Sequence, residues 1–206
     1  MTKDIRAVWG AFILLGAVAC SGQSDTSRDG IQAQSPHVAV IDSAIPLPEA
    51  IQRFQESNDG AVPLVLEGGP ATMEELMRGL VDAYRYRDNE ALDRLTLSRA
   101  EFGYLYYPES PYPEPPFRIS PDLLWFMVEQ NSAKGAAAAA DYFAQRNATY
   151  AGHDCSPARP EGSNLLWGPC FVTLRWPDGR DDVQRIANAV VQREGRFKMV
   201  GLDNDM

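Results

Sequence analysis

The chain has 206 residues, 45% of them hydrophobic and 23% charged, with a formal net charge of −9. Its apolar content allows a sizeable core, while the acidic balance argues against nucleic acid or an anionic surface as a partner. The body holds no GxSxG, HExxH, P-loop or GxGxxG, so the common hydrolase, zinc-peptidase and nucleotide-binding signatures are absent.

The chain begins with Lys3 and Arg6 against a single acid, Asp4, and residues 7–19 are uncharged. That run is shorter than the roughly 20 residues a membrane-crossing helix needs, and it suits the apolar region of a signal peptide. It ends Ala17-Val18-Ala19-Cys20, followed at once by polar residues. This stretch resembles the lipobox of bacterial lipoproteins, with Ala17 where that pattern prefers leucine. The resemblance implies that residues 1–19 are removed and that Cys20 carries the lipid. The alternative is an ordinary secretory signal cleaved after Ala19, with Cys20 a bystander. Losing two basic residues and one acidic residue would leave a net charge of −10. Ser21 follows the cysteine where inner-membrane retention typically uses Asp, so the same resemblance implies the periplasmic face of the outer membrane. Acyl chains contribute about 0.8 kcal/mol per buried methylene, and no further hydrophobic span is expected.

Residues 20–36 are mostly Ser, Gln, Asp, Gly and Arg, a composition that cannot offset ordering entropy by burial and reads as a tether. Residues 37–71 form an N-terminal extension. Pro48 and Glu49 open a short helix bearing Ile51 and Phe54, and AVPLVLEGGP reads as a brief strand or an extended linker.

The folded body spans residues 72–206. Thr72 and Glu75 make a capping box before Met73, Leu76, Met77, Leu80, Val81 and Tyr84 at helical spacing. A short second helix follows with Asn89 as N-cap and Ala91, Leu92 and Leu95 facing in. Ser98 and Glu101 form another capping box, opening a third helix with Phe102, Leu105 and Tyr106 that Pro108 stops. Six prolines in the fifteen residues 107–121 then preclude a regular element. Tyr107, Tyr112 and Phe117 in that loop either cover the domain edge or form a polyproline-like partner surface. Ser120 and Pro121 start a helix that Gly135 is expected to break, and residues 136–146 form a further one.

After Asn147 the pattern turns to short β-type runs, ATYAGHDC, LWGPCFVTLRW, VQRIANAVVQR and RFKMVGL, with turn residues at Pro177-Asp178-Gly179 and Glu194-Gly195. The expected class is α+β, helices first and then an antiparallel sheet of about four strands. With Cys20 assigned to lipid, Cys155 and Cys170 remain. A disulfide between them would close a loop of about 15 residues. Two free thiols are the alternative, and zinc lacks a ligand set.

Asp88, Ala91, Leu92 and Leu95 after the first helix, with Gly195, Arg196, Phe197, Lys198 and Val200 in the last hairpin, resemble the nuclear-transport-factor-like fold shared by ketosteroid isomerase and scytalone dehydratase. The resemblance implies a cone with helices in the concave face of a curved sheet. AEFGYLYYPESP with WGPC is similar to a lineage of bacterial lipoproteins on this fold that implies no activity. Many cone-fold proteins enclose a pocket, and Tyr84, Tyr104, Tyr106, Trp125 and Trp167, with His153, are the candidate lining residues. Core packing is the alternative for each aromatic. Asp154 adjoins His153, but neighbouring strand residues face opposite ways and cannot pair directly.

No catalytic residue, metal or cofactor is assigned. The expectation is a lipid-anchored envelope protein with a non-catalytic binding role toward a small apolar ligand or a protein partner. A cone-fold isomerase or hydrolase using His153, Asp154 and a tyrosine is one alternative. An accessory subunit of an envelope assembly is the other.

Overall fold

The computed structural model describes residues 45–201. The expected signal peptide, Cys20, the tether and the extension up to residue 44 lie outside the described residues. The helices are α1 (Leu47–Glu56), α2 (Met73–Tyr86), α3 (Asn89–Leu95), α4 (Arg99–Glu101) and α5 (Pro121–Arg146). The strands are β1 (Thr149–Cys155), β2 (Arg159–Glu161), β3 (Asn164–Trp167), β4 (Cys170–Arg175), β5 (Asp181–Ala187), β6 (Ala189–Arg193) and β7 (Arg196–Gly201). The class is α+β with helices first, as expected. The sheet expectation needs correction: seven strands form two antiparallel sheets, ordered β1-β4-β5 and β2-β3-β6-β7.

Local side chains explain the helix starts. Thr72 Oγ1 accepts the Glu75 N–H while Glu75 accepts the Thr72 N–H, both at 3.2 Å, and Ser98 and Glu101 repeat the exchange at the start of α4. α3 starts differently from expectation, because its N-cap is Asp88 and not Asn89. Arg87 ends α2 in the left-handed region at φ 55°, which leaves Asp88 extended, and its carboxylate accepts the Ala91 N–H at 2.9 Å.

α4 continues as a π turn over Phe102–Tyr106 and a 3-10 turn over Tyr107–Glu109. Pro121 sits in the first turn of α5 as expected, but the helix runs unbroken through Gly135. A glycine in a helix interior costs about 1 kcal/mol against alanine, and this one is buried.

The extra strands come from two runs that each divide. LWGPCFVTLRW splits at Gly168-Pro169 into β3 and β4, and VQRIANAVVQR splits at Asn188 into β5 and β6. Trp167 pairs with Val190 in one sheet and Cys170 with Ala187 in the other, so a single long hairpin belongs to both sheets. Pro169 offers no N–H to the ladder. Gly168 adopts φ +128°, and a Cβ there would stand 2.4 Å from the Asn188 carbonyl oxygen. β2 has no counterpart among the expected runs. The AVPLVLEGGP stretch is irregular rather than a strand.

Buried side chains fall into two clusters. One joins Leu76, Leu80 and Tyr84 of α2 and Phe143 of α5 to Val172, Ile186 and Met199 of the sheets. The other joins Phe54 of α1 and Leu66 to Phe102, Tyr107, Leu124 and Val191. The described part of the extension is thus built into the body, and residues 45–201 lie in one compact unit. A disulfide links Cys155 to Cys170, residues that face each other across β1 and β4. Among the described residues no helix is long and apolar enough to cross a membrane.

Candidate binding cleft

The candidate pocket residues occupy three separate places. Tyr84 is fully buried in the first cluster, stacked on Phe143 at 5.8 Å between ring centroids, and burial pushes its phenol far above the usual range. Its hydroxyl has no hydrogen-bond partner among the described residues. Trp167 packs half-buried against the same cluster and donates from Nε1 to Gln192 Oε1 at 3.0 Å. Tyr106 and Trp125 belong to the second cluster, each against the Phe102 ring at 5.7 and 5.1 Å. Tyr104 donates its hydroxyl to the Gln55 carbonyl at 3.1 Å, a contact that holds α1.

His153 lies half-buried on the edge strand β1, where it meets Tyr150 rather than Asp154. An irregularity between Tyr150 and Gly152 brings residues three apart together, and Tyr150 Oη lies 2.6 Å from His153 Nδ1. The Arg78 guanidinium stands 4.7 Å from the centre of the Tyr150 ring and pairs with Glu74 at 2.7 Å. Burial, then Glu74, raises the Tyr150 phenol, and Arg78 opposes them. Asp154 is exposed. Tyr150 was invisible as a partner because strand periodicity alone assigns the two residues to opposite faces.

The π turn prepares a different site. It inserts one extra residue per turn, and Phe102, Leu105, Tyr106 and the following Tyr107 are all buried. Tyr107 donates its hydroxyl to the Ile119 carbonyl at 2.5 Å, and the Ile119 N–H donates to the Tyr112 carbonyl at 3.0 Å. These bonds pin the proline-rich loop beside α5, and burial pushes the Tyr107 phenol up to about 12.

Between loop, α5 and β7 lies an open cleft of about 230 Å³ whose walls include Tyr106, Tyr112, Leu124, Met127 and Val128, with the amides of Asn131 and Asn188. A second cleft of about 530 Å³, which Trp125 lines, shares Val128 and Val200 with the first. The N-terminal half of α5 therefore meets β7 along one narrow seam. Met127 is exposed there, and Leu123 and Phe126 of the same half of α5 and Phe117 of the loop are exposed as well.

Behind Tyr106 lies a charged group of side chains. Buried Asn164 donates to the Leu105 carbonyl at 2.8 Å, and Arg193 donates to Asn164 Oδ1 at 3.2 Å and pairs with Glu109 at 3.5 Å. The Ser163 N–H bonds Glu109 at 2.8 Å and holds its carboxyl below the usual range. Glu161 Oε2 and Arg193 Nε are buried there with no hydrogen-bond partner among the described residues. Burial, with Tyr112 and Glu161 adding to it, raises the Tyr106 phenol.

Glu101, on the opposite side of α4, is a buried cap: it accepts from the Glu67 N–H at 2.7 Å and from Lys198 Nζ at 2.8 Å. Among the described residues no group of three or more His, Cys, Asp or Glu is placed to hold a metal ion. No protein-family model matches the chain, and neither does any curated protein or solved structure.

Proposed function

We propose that the chain is a lipid-anchored protein of the bacterial envelope, held at the periplasmic face of the outer membrane through Cys20, whose domain binds an apolar segment of an envelope partner beside α5. The observation that carries the binding role is the open cleft walled by Tyr106, Tyr112, Leu124 and Met127, of which Met127 is an exposed apolar side chain. Sites for drug-sized ligands span about 300–1,000 Å³ and bury most of the ligand. An open cleft of about 230 Å³ suits one or two apolar side chains better than an enclosed small molecule. Aromatic side chains beside an exposed methionine are also what protein interfaces use.

The nuclear-transport-factor-like cone is part of this reading. Its support is α2 and α5 sharing a core cluster with the bent hairpin, and Leu92 and Leu95 of α3 packing on that cluster. One observation favours an isomerase or hydrolase, namely the Tyr150 to His153 contact. That pair sits on an edge strand and lines neither cleft.

The test places a photo-crosslinking phenylalanine analogue at Met127 in living cells, with Val183, exposed at 59% against 46%, as control. A discrete protein adduct from position 127 and none from 183 is expected. Equal labelling at both, or none, would remove the binding reading. Cys20→Ser should abolish fatty-acid labelling, and labelling that persists would remove the anchor.

A further inference from the structure

We infer that the loop of residues 61–65, between α1 and α2, rests on the lipid surface to which the chain is anchored. The loop reads AVPLV, five uncharged residues in succession. Val62, Leu64 and Val65 are 54%, 78% and 41% exposed, while Pro63 and Leu66 are buried. A lone exposed aliphatic needs no explanation, but three within four residues make an apolar patch.

The loop is pinned on its C-terminal side. Leu66 sits in the second core cluster, and the Glu67 N–H donates at 2.7 Å to Glu101, itself buried and paired with Lys198. The exposed side chains are thus presented on a fixed base, which lowers the ordering cost of any contact they make.

Charge and chain length indicate what covers them. The patch is aliphatic and carries no charge, and its chain neighbours Asp59 and Glu67 are acidic. Arg94 and Arg99 line the cleft beside Ala61 and Pro63, so both signs of charge border the patch, and such mixed surroundings match the paired charges of a zwitterionic bilayer surface. The inference rests on the anchor proposed above. Residues 21–44 separate Cys20 from the first described residue, a span of ~80 Å at full extension, so the domain stays beside the bilayer at high effective concentration. Under that constraint a shallow aliphatic contact suffices.

The experiment uses the full-length acylated protein with Leu64→Cys carrying a nitroxide, and Val183→Cys as control. With Cys20 acylated and Cys155 paired to Cys170, the added thiol alone takes the label. On reconstitution into phosphatidylcholine vesicles, collisions of the position-64 label with a water-soluble nickel chelate should fall severalfold and those with oxygen should rise, with position 183 unchanged. A position-64 label as wet as position 183 in acylated protein overturns the loop contact and leaves the anchor standing. A mass showing no acyl chain on Cys20 overturns both. A label shielded in native membranes but wet in phosphatidylcholine assigns the loop to a protein and overturns the lipid contact.

Discussion

Glu101 and Lys198 show how much one residue's role depends on what arrives from far along the chain. Ser98 and Glu101 announce a capping box locally, and the box is present. That the same carboxylate is 3% exposed and faces the Lys198 ammonium, itself 4% exposed, depends on β7 lying alongside. Removing one member of a buried pair leaves an uncompensated charge and typically costs about 3–5 kcal/mol. Lys198→Met is therefore expected to lose about 3 kcal/mol in urea unfolding, and the double variant with Glu101→Gln to recover a good part of it. A single-variant loss under about 1 kcal/mol would mean that water already reaches the pair. The contact of His153 with Tyr150 teaches the same lesson, since period-two reasoning holds only until a strand loses its register.

Among the elements, the helices were the most legible, because caps and apolar spacing act within a turn or two. Thr72, Ser98 and Ser120 each cap the helix their position announced. The errors were local competitions: Arg87 took the left-handed position and handed the α3 cap to Asp88, and packing outweighed the cost of Gly135. The π turn after α4 left no such mark, and its Phe102 packs on Phe54 of α1 and on Trp125 of α5, contacts that no local period records.

Gly103 makes that contact testable, because a Cβ there would stand 2.7 Å from the Phe54 ring. Gly103→Ala should destabilise by about 1–3 kcal/mol and speed hydrogen exchange in α1. Gly152→Ala, with nothing within 4 Å of its Cβ, should stay within about 0.5 kcal/mol of the parent. Equal effects of the two would show that α1 does not depend on this approach.

At the scale of the whole molecule, the Cys155 to Cys170 bond ties β1 to β4 and closes a loop with a sequence separation of 15, containing β2 and β3. In the chain-entropy treatment such a loop is worth about 3 kcal/mol. The double serine variant should therefore melt about 6–12 °C lower by calorimetry, and an unchanged midpoint would mean that the ladder alone holds these strands.

Read alone, the sequence determined the starts of α2, α4 and α5 and the α+β order, and it pointed to Cys155 and Cys170 as partners, because all of these rest on local chemistry and short sequence separations. Only tertiary structure decided that two β-type runs would each serve both sheets, since the break at Asn188 lies against the break at Gly168 in the facing run. It also decided that the candidate aromatics would separate into two cores and that the open cleft would form beside α5. Which side chains share a space depends on contacts between elements distant in sequence, and no local period records them.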